Sequence, residues 1–241
     1  MSPLLEPLPW DSKFLGFAVA RLTVPVGEEG PPAIEVALRE ARHSGYRLLY
    51  VEVGPARGVG ELLRRAGAQL VDRRATFGRN LGALPTDFIA DSAIRPATAF
   101  TPQLEALAWQ SGEYSRFRRD AKFEPHVFQR LYSHWLRESL SGALAWQVLA
   151  LSDPAGPARG LLTLGEQNGQ ADIGLLAVDQ PARGQGVSLR LVAAALASAR
   201  QRGYDIIQVR TQLDNAPACR LYAAAGFALL AEQHVYHLWL D

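Results

Sequence analysis

Two stretches of this sequence repeat one local grammar at almost one spacing. In the first, a helix-patterned run ends at Ser44-Gly45-Tyr46. An apolar run Leu48-Leu49-Tyr50-Val51-Glu52-Val53 follows, and a second helical run ends at Leu62-Leu63-Arg64-Arg65-Ala66-Gly67-Ala68. In the second, the corresponding pieces are Arg202-Gly203-Tyr204, Ile206-Ile207-Gln208-Val209-Arg210-Thr211 and Leu221-Tyr222-Ala223-Ala224-Ala225-Gly226-Phe227. Gly45 precedes Gly203 by 158 residues and Gly67 precedes Gly226 by 159. A near-constant offset across helix, strand and helix predicts a degenerate structural repeat in an α/β chain. The ordinary β-α-β grammar accounts for part of the likeness.

Proline and glycine punctuation extends the reading along the chain. Alternation over 14–25 predicts a strand, 32–43 a helix opened by proline, 46–54 a strand, 58–66 a helix and 69–79 a strand. The stretch 81–96 reads as a linker, and 102–112 and 125–139 as helices. Three strands follow (145–153, 158–167 and 170–179), with turns expected at Asp153-Pro154-Ala155-Gly156 and Asn168-Gly169. A helix is expected over 187–202, with Leu189, Val192, Leu196 and Ala199 as its buried face. A strand over 205–212, a helix over 215–225 and two strands within 227–240 complete the chain.

Composition removes several function classes. With 48% hydrophobic and 20% charged residues and a net charge of +1, the chain reads as a globular domain with no field for nucleic acid. The lone cysteine, Cys219, excludes an intrachain disulfide framework and suits a reducing compartment. The opening MSPLLEPLPW has neither the basic nor the apolar region of a signal peptide, and no apolar run is long enough to span a bilayer. A cytoplasmic protein without membrane contact is expected. The histidines are scattered; His234 and His237 fall on opposite faces of an alternating strand, so a metal site is not expected.

The strongest chemical signal is the run Asp179-Gln180-Pro181-Ala182-Arg183-Gly184-Gln185-Gly186-Val187-Ser188, between an apolar strand and an amphipathic helix. Glycines before a helix let the backbone turn tightly and aim free N–H groups outward, where the helix dipole adds positive charge. Arg183 can add a charge-assisted bond, so a diphosphate is the expected anion. Glycine turns also occur at strand–helix junctions that bind nothing. No Gly-Lys-Ser/Thr follows, and the spacing is not that of a dinucleotide fingerprint.

This loop, Arg183-x-x-Gly186-x-Ser188, precedes a second motif, Asn215-Ala216-Pro217-Ala218-Cys219-Arg220-Leu221-Tyr222-Ala223-Ala224-Ala225-Gly226-Phe227. In order and separation the two resemble the GCN5-related N-acetyltransferase (GNAT) superfamily, over about residues 94–241. Its loop usually ends in glycine or alanine where this chain has Ser188. The resemblance implies a mixed, mostly antiparallel central sheet flanked by helices, and acetyl-CoA as cosubstrate. It implies that Leu176, Ala177 and Val178 present backbone groups to the pantetheine arm, that residues 183–188 (Arg183, Gly184, Gln185, Gly186, Val187, Ser188) hold the pyrophosphate, and that Asn215 bonds the pantetheine. Tyr222 would protonate the departing thiolate, a role open to a neutral phenol; a helix tyrosine in a core is the alternative. A nucleophilic Cys219 would need a base that is not identifiable, so it reads as part of a wall.

A narrower resemblance lies in Leu8-Pro9-Trp10-Asp11-Ser12-Lys13-Phe14-Leu15-Gly16-Phe17 and Ser115-Arg116-Phe117-Arg118-Arg119-Asp120-Ala121-Lys122-Phe123. Both are similar to segments of acetyltransferases of dTDP-4-amino-4,6-dideoxygalactose, which carry a truncated copy of the fold ahead of the full one. This implies a truncated domain over 1–85, a catalytic domain over 94–241, and a small-molecule amine as partner. Arg116, Phe117 and Asp120 are candidate substrate contacts; a solvated charged surface is the alternative. Leu63 occupies the position of Tyr222 in the first copy, so one active site is expected, in the second. Asp172, Glu166 or a water chain remain open as the base. Another small amine as acceptor, or a non-catalytic acyl-CoA sensor, are the rival functions. A homodimer through the C-terminal strands is compatible with VYHLWL.

Overall fold

The computed structural model describes residues 4–24, 31–55, 58–82, 91–152 and 156–240. The elements run β1 (Leu4–Pro7), α1 (Pro9–Leu15), β2 (Val19–Val24), α2 (Pro31–His43), β3 (Leu48–Val53), α3 (Val59–Arg65) and β4 (Gln69–Asn80). They continue with β5 (Ile94–Pro96), α4 (Pro102–Ser111), α5 (Arg116–Arg119), α6 (Pro125–Leu140), β6 (Gln147–Ser152), β7 (Ala158–Gln167) and β8 (Gln170–Val178). A 3-10 turn (Gln180–Ala182), α7 (Val187–Gln201), β9 (Ile206–Gln212), α8 (Ala216–Ala224) and β10 (Ala228–Trp239) complete the order. The chain forms two compact units, Met1–Ala75 with Ala231–Asp241, and Thr76–Leu230.

In the first unit the strand order is β1-β2-β3-β10, with β2 and β3 parallel and the other pairs antiparallel. The parallel pair needs a crossover, which α2 supplies. Ile34, Leu38 and Ala41 of α2 are buried against Leu22, Leu49, Val51, Tyr236 and Leu238. Each large side chain removed from water there contributes about 1.5–3 kcal/mol.

The second unit has the order β4-β9-β8-β7-β6-β5. Its β5–β8 run is antiparallel, and β8 and β9 are parallel. Helix α7 buries Leu191, Val192, Ala195, Leu196 and Ala199. A Cβ on Gly160 of β7 would lie 2.9 Å from Val187 Cγ1 and 2.8 Å from Leu191 Cδ1, so glycine there lets α7 come close to the sheet. The first unit takes residues 231–239 of β10, which follows α8 in sequence, and the second takes residues 76–80 of β4, which follows α3.

Five expectations are corrected. Residues 14–25 are not one strand: Pro9 opens α1, Gly16 ends it with φ 80°, and β2 begins only at Val19. Ser12 Oγ accepts from the Val19 N–H at 2.9 Å and donates to Leu8 O at 2.7 Å, which stabilises that break. The expected linker ends in a strand, because Ile94–Pro96 pair with Leu151–Leu149. The segment 227–240 forms one continuous strand, since no turn residue interrupts Ala228–Trp239. Leu189 is 45% exposed, off the buried face of α7; Val187 and Leu191 take that face. The run 116–119, left outside the helices expected at 102–112 and 125–139, is a helical turn opened by Ser115, whose Oγ accepts from Phe117 N. Most of the turn expected at 153–156 lies outside the described residues, whereas Asn168 (φ 53°) and Gly169 (φ 75°) form the other.

Among the described residues no helix is long and apolar enough to cross a membrane, and no group of three or more His, Cys, Asp or Glu is placed to hold a metal ion.

Candidate active site

The site begins where a strand pair stops. β8 and β9 pair at Ala171↔Ile207, Asp172↔Gln208 and Ile173↔Val209, then part, although β8 runs on to Val178 and β9 to Gln212. From Gly174 onward the β9-facing edge of β8 lacks a strand partner, while its other edge stays paired to β7 as far as Gly160↔Val178. The Leu175 N–H donates to Thr163 Oγ1 at 2.8 Å and the Asp179 N–H to Arg159 O at 2.9 Å, both toward β7. Alternation along an extended chain therefore turns the Leu176 and Val178 N–H groups toward the gap.

The loop after β8 is shaped for an anion. Asp179 caps the 3-10 turn, its Oδ1 accepting from Gln180 N at 3.1 Å. Gly184 (φ 75°) and Gly186 (φ 76°) take left-handed conformations that disfavour other residues. Gly186 is the N-cap of α7 and no side chain caps it, so the first N–H groups of this 15-residue helix keep their capacity to bind. Arg183 Nε donates to Val178 O at 3.2 Å, and its Nη2 lies 3.4 Å from Gln110 Oε1 and 4.0 Å from Glu113.

Two hollows meet on β8. The first, about 660 Å³, is lined by Leu176, Ala177, Val178, Arg183, Gly184, Gly186, Val187, Ser188 and Asn215, with Gln110, Glu113 and Tyr114 on the α4 side. Every expected cosubstrate residue except Gln185 is brought together there; Gln185 instead bonds Pro181 O and Arg159. The second, about 330 Å³, is lined by Tyr132, Trp135, Ser139, Thr163, Glu166, Asp172, Arg210 and Tyr222, among others. Ser111, Leu176, Asn215 and Ala218 line both.

Tyr222 is 3% exposed, its ring against Phe77 and Phe227 at centroid distances of 6.0 and 5.7 Å. Burial, and then the nearby Cys219 and Asp172, push its phenol above the ordinary value. Asp172 is the middle one of the three β8 residues paired with β9. Burial raises its carboxyl, partly offset by Arg210, whose Nη2 lies 3.4 Å from Oδ2; Oδ1 is buried without a hydrogen-bond partner. Glu166 Oε2 accepts from the Tyr204 hydroxyl at 2.6 Å. Asn215 opens α8, its Oδ1 accepting from Ala218 N at 3.2 Å. Cys219 is a free thiol in neither lining, raised by burial.

Arg116, Phe117 and Asp120 are not brought to either hollow. Phe117 is buried against Phe123 at 5.3 Å, with the Arg116 guanidinium over its ring at 4.9 Å. Asp120 is 2% exposed and its Oδ1 accepts from Lys122 N. Phe117 and Asp120 border a separate hollow with Trp109 and Phe128. The residues that sequence reasoning missed are Trp135, Tyr132 and Ser139 of α6 and Thr163 of β7. None carries a local motif, and their spacing on α6 and β7 reads as core.

Residues 104–227 match the Acetyltransferase (GNAT) family. The chain is 31% identical over 228 residues to a dTDP-fucosamine acetyltransferase of Escherichia coli O6:H1, covering 92% of each. It is 25% identical over 144 residues to the spore coat polysaccharide biosynthesis protein SpsD of Bacillus subtilis, over 60% of this chain and 49% of that one. Among solved structures, a GCN5-related N-acetyltransferase from Sphaerobacter thermophilus superposes with a TM-score of 0.64 at 16% identity, covering all of this chain and 77% of that one. A tandem GNAT protein from the clavulanic acid biosynthesis pathway superposes at 0.57 and 17% identity, covering 92% and 75%. The chain belongs to the GNAT acetyltransferase family and is an acetyl-CoA-dependent N-acetyltransferase.

Proposed function

We propose that this enzyme acetylates the primary amine of a dTDP-4-amino sugar by direct transfer in a ternary complex, with its catalytic stretch within residues 94–241 and a truncated copy of the fold over 1–85. The observation that carries the reading is the gap where β8 parts from β9, with the anion loop in one adjoining hollow and Tyr222 with Asp172 in the other. The sugar acceptor is supported by the E. coli relative, a dTDP-fucosamine acetyltransferase matched over 92% of both chains. In the first copy the position of Tyr222 is held by Leu63, fully buried in α3, which has no acid to offer.

The residues present fit acetyl-CoA: an open strand edge for an extended arm, and a glycine-shaped helix N-terminus for a diphosphate. Arg183, Gly184, Gly186, Val187 and Ser188 hold the diphosphate, while Leu176, Ala177, Val178 and Asn215 hold the arm. The bound thioester supplies an activated acetyl group. The Leu176 and Val178 N–H groups polarise its carbonyl, and holding both reactants in adjoining hollows removes the entropy cost of encounter. As the acceptor nitrogen forms its bond to the acetyl carbon, Asp172 takes the proton the nitrogen sheds; as the carbon–sulfur bond breaks, Tyr222 gives its proton to sulfur. Arg116, Phe117 and Asp120 stabilise the α5 turn in this scheme and do not touch the acceptor.

Release of free thiol from acetyl-CoA, measured against dTDP-4-amino sugars, amino acids and polyamines, tests the assignment. Turnover is expected on the nucleotide sugars. Acetyl-CoA binding without binding or acetylation of any dTDP-amino sugar would remove the substrate; binding without turnover on any amine would leave an acyl-CoA sensor.

A further inference from the structure

The β7–β8 ladder slips by one residue beside the gap. Leu162 pairs with Leu176 and Leu164 with Ile173, so Thr163 alone faces two residues, Gly174 and Leu175. Such a bulge interrupts the ladder and re-aims the strand that carries the extra residue. Here the Leu175 N–H is taken by a side chain: Thr163 Oγ1 accepts it at 2.8 Å. Thr163 is 2% exposed, and a Cβ on Gly174 would lie 2.8 Å from the same oxygen. The hydroxyl thus sits at the bulge itself, between the two paired stretches of β7 and β8, and glycine at 174 makes room for it.

We propose that Thr163 is a positioning residue for acetyl transfer: by binding the Leu175 N–H on the β7 side, it fixes the turn of the strand that aims the next amide, Leu176 N–H, into the gap. The proposal rests on the reading of Leu176 N–H as a donor to the thioester carbonyl. A buried N–H deprived of its acceptor costs about 1–3 kcal/mol, so without the hydroxyl the bulge rotates to find another partner and the neighbouring amide turns with it. A donor helps only when it is aimed at the oxygen beforehand. The residue reaches the chemistry through the backbone.

The test uses the full chain with Thr163→Val, Thr163→Ala and Thr163→Ser. Three things are read: kcat and KM for acetyl-CoA with the acceptor that turns over, the dissociation constant for CoA, and the infrared carbonyl band of bound ¹³C-labelled acetyl-CoA. Valine or alanine is expected to lower kcat about tenfold or more, short of the roughly 10²–10³-fold cost of deleting such a donor. The dissociation constant for CoA, which has no thioester carbonyl, stays within about twofold of wild type, since the diphosphate and arm contacts are untouched. Serine restores kcat because it restores the acceptor oxygen. In wild type and serine variant the carbonyl band shifts to lower frequency on binding; in the valine and alanine variants the shift shrinks.

Wild-type kcat and an unchanged band in whichever of the valine and alanine variants folds overturns the role of Thr163. No shift on binding to wild type overturns the donor reading itself, which separates the two failures. Loss of kcat with serine as large as with valine makes Thr163 a packing residue and also overturns the proposal.

Discussion

Asp172 and Tyr222 line the same hollow, and the carboxylate raises the proton affinity of the phenol. Burial acts on both in one direction: it keeps Tyr222 protonated and makes Asp172 a stronger base than a solvated carboxylate. In the proposed mechanism an acid and a base are thereby held apart in proton affinity within one cavity, as acyl transfer from a thioester to an amine requires.

Tyr222→Phe removes the proposed proton donor and keeps the ring against Phe77 and Phe227. Turnover is expected to fall by about 10²–10⁴-fold, the range for loss of a general acid. Calorimetric affinity for CoA should stay at the wild-type value. An unchanged kcat would return Tyr222 to the role of a core residue.

Asp172 gives a pH signature. Burial raises its folded-state carboxyl, so the base form appears at higher pH than in an exposed aspartate. The acid limb of kcat/KM should therefore lie higher than for an exposed aspartate, and Asp172→Asn should abolish that limb along with most of the activity. For stability the sign runs the other way. Because the folded carboxyl holds its proton more tightly than the unfolded one, its favourable contribution is present at low pH and is lost as pH rises through the folded value. Asp172→Asn should accordingly melt no lower than wild type at neutral pH, measured by calorimetry.

Asn215 caps α8 and, in the proposed mechanism, also binds the cosubstrate, and substitution separates the two. Its Oδ1 caps α8, and among the described residues its side-chain NH2 donates to no protein acceptor. Asn215→Ala is expected to lose about 1 kcal/mol of stability with the cap, and to raise KM for acetyl-CoA. Asn215→Asp keeps the cap, so its melting temperature should hold while KM still rises. Equal KM values for wild type and Asn215→Asp would remove the residue from the binding site.

Gly186→Ala places a side chain in the left-handed region at φ 76°. The strain is about 1–2 kcal/mol, and the substitution should appear mainly as weaker CoA binding, because relaxation of the loop moves the N–H groups of α7. Titration with CoA and with pantetheine separates the effect: affinity for CoA falls, and affinity for pantetheine, which has no diphosphate, does not.

The residues that the sequence marked for a cosubstrate gather on one hollow, whereas most of those lining the other carried no mark in the sequence. Gly184, Gly186, Asn215 and Tyr222 are local: turn chemistry and helix capping tie each to its neighbours in the chain, so spacing alone carries them. Thr163, Trp135 and Ser139 come from β7 and α6 and meet Tyr222 only through tertiary packing. Arg116 and Phe117, marked by a basic and aromatic cluster, stack on each other and border neither of these two hollows. The α1 helix was missed because its alternating pattern runs on into β2, and only Pro9 and Gly16 mark the break.

The measurement that tests the account most directly is hydrogen exchange at single-amide resolution over β8, with and without acetyl-CoA. The account predicts that the Leu176 and Val178 amides, which face the gap, slow markedly on binding, while the Leu175 amide, already bound to Thr163, changes little. Protection confined to other segments, with Leu176 and Val178 unaltered by a saturating cosubstrate, would contradict the claim that the arm lies along this edge.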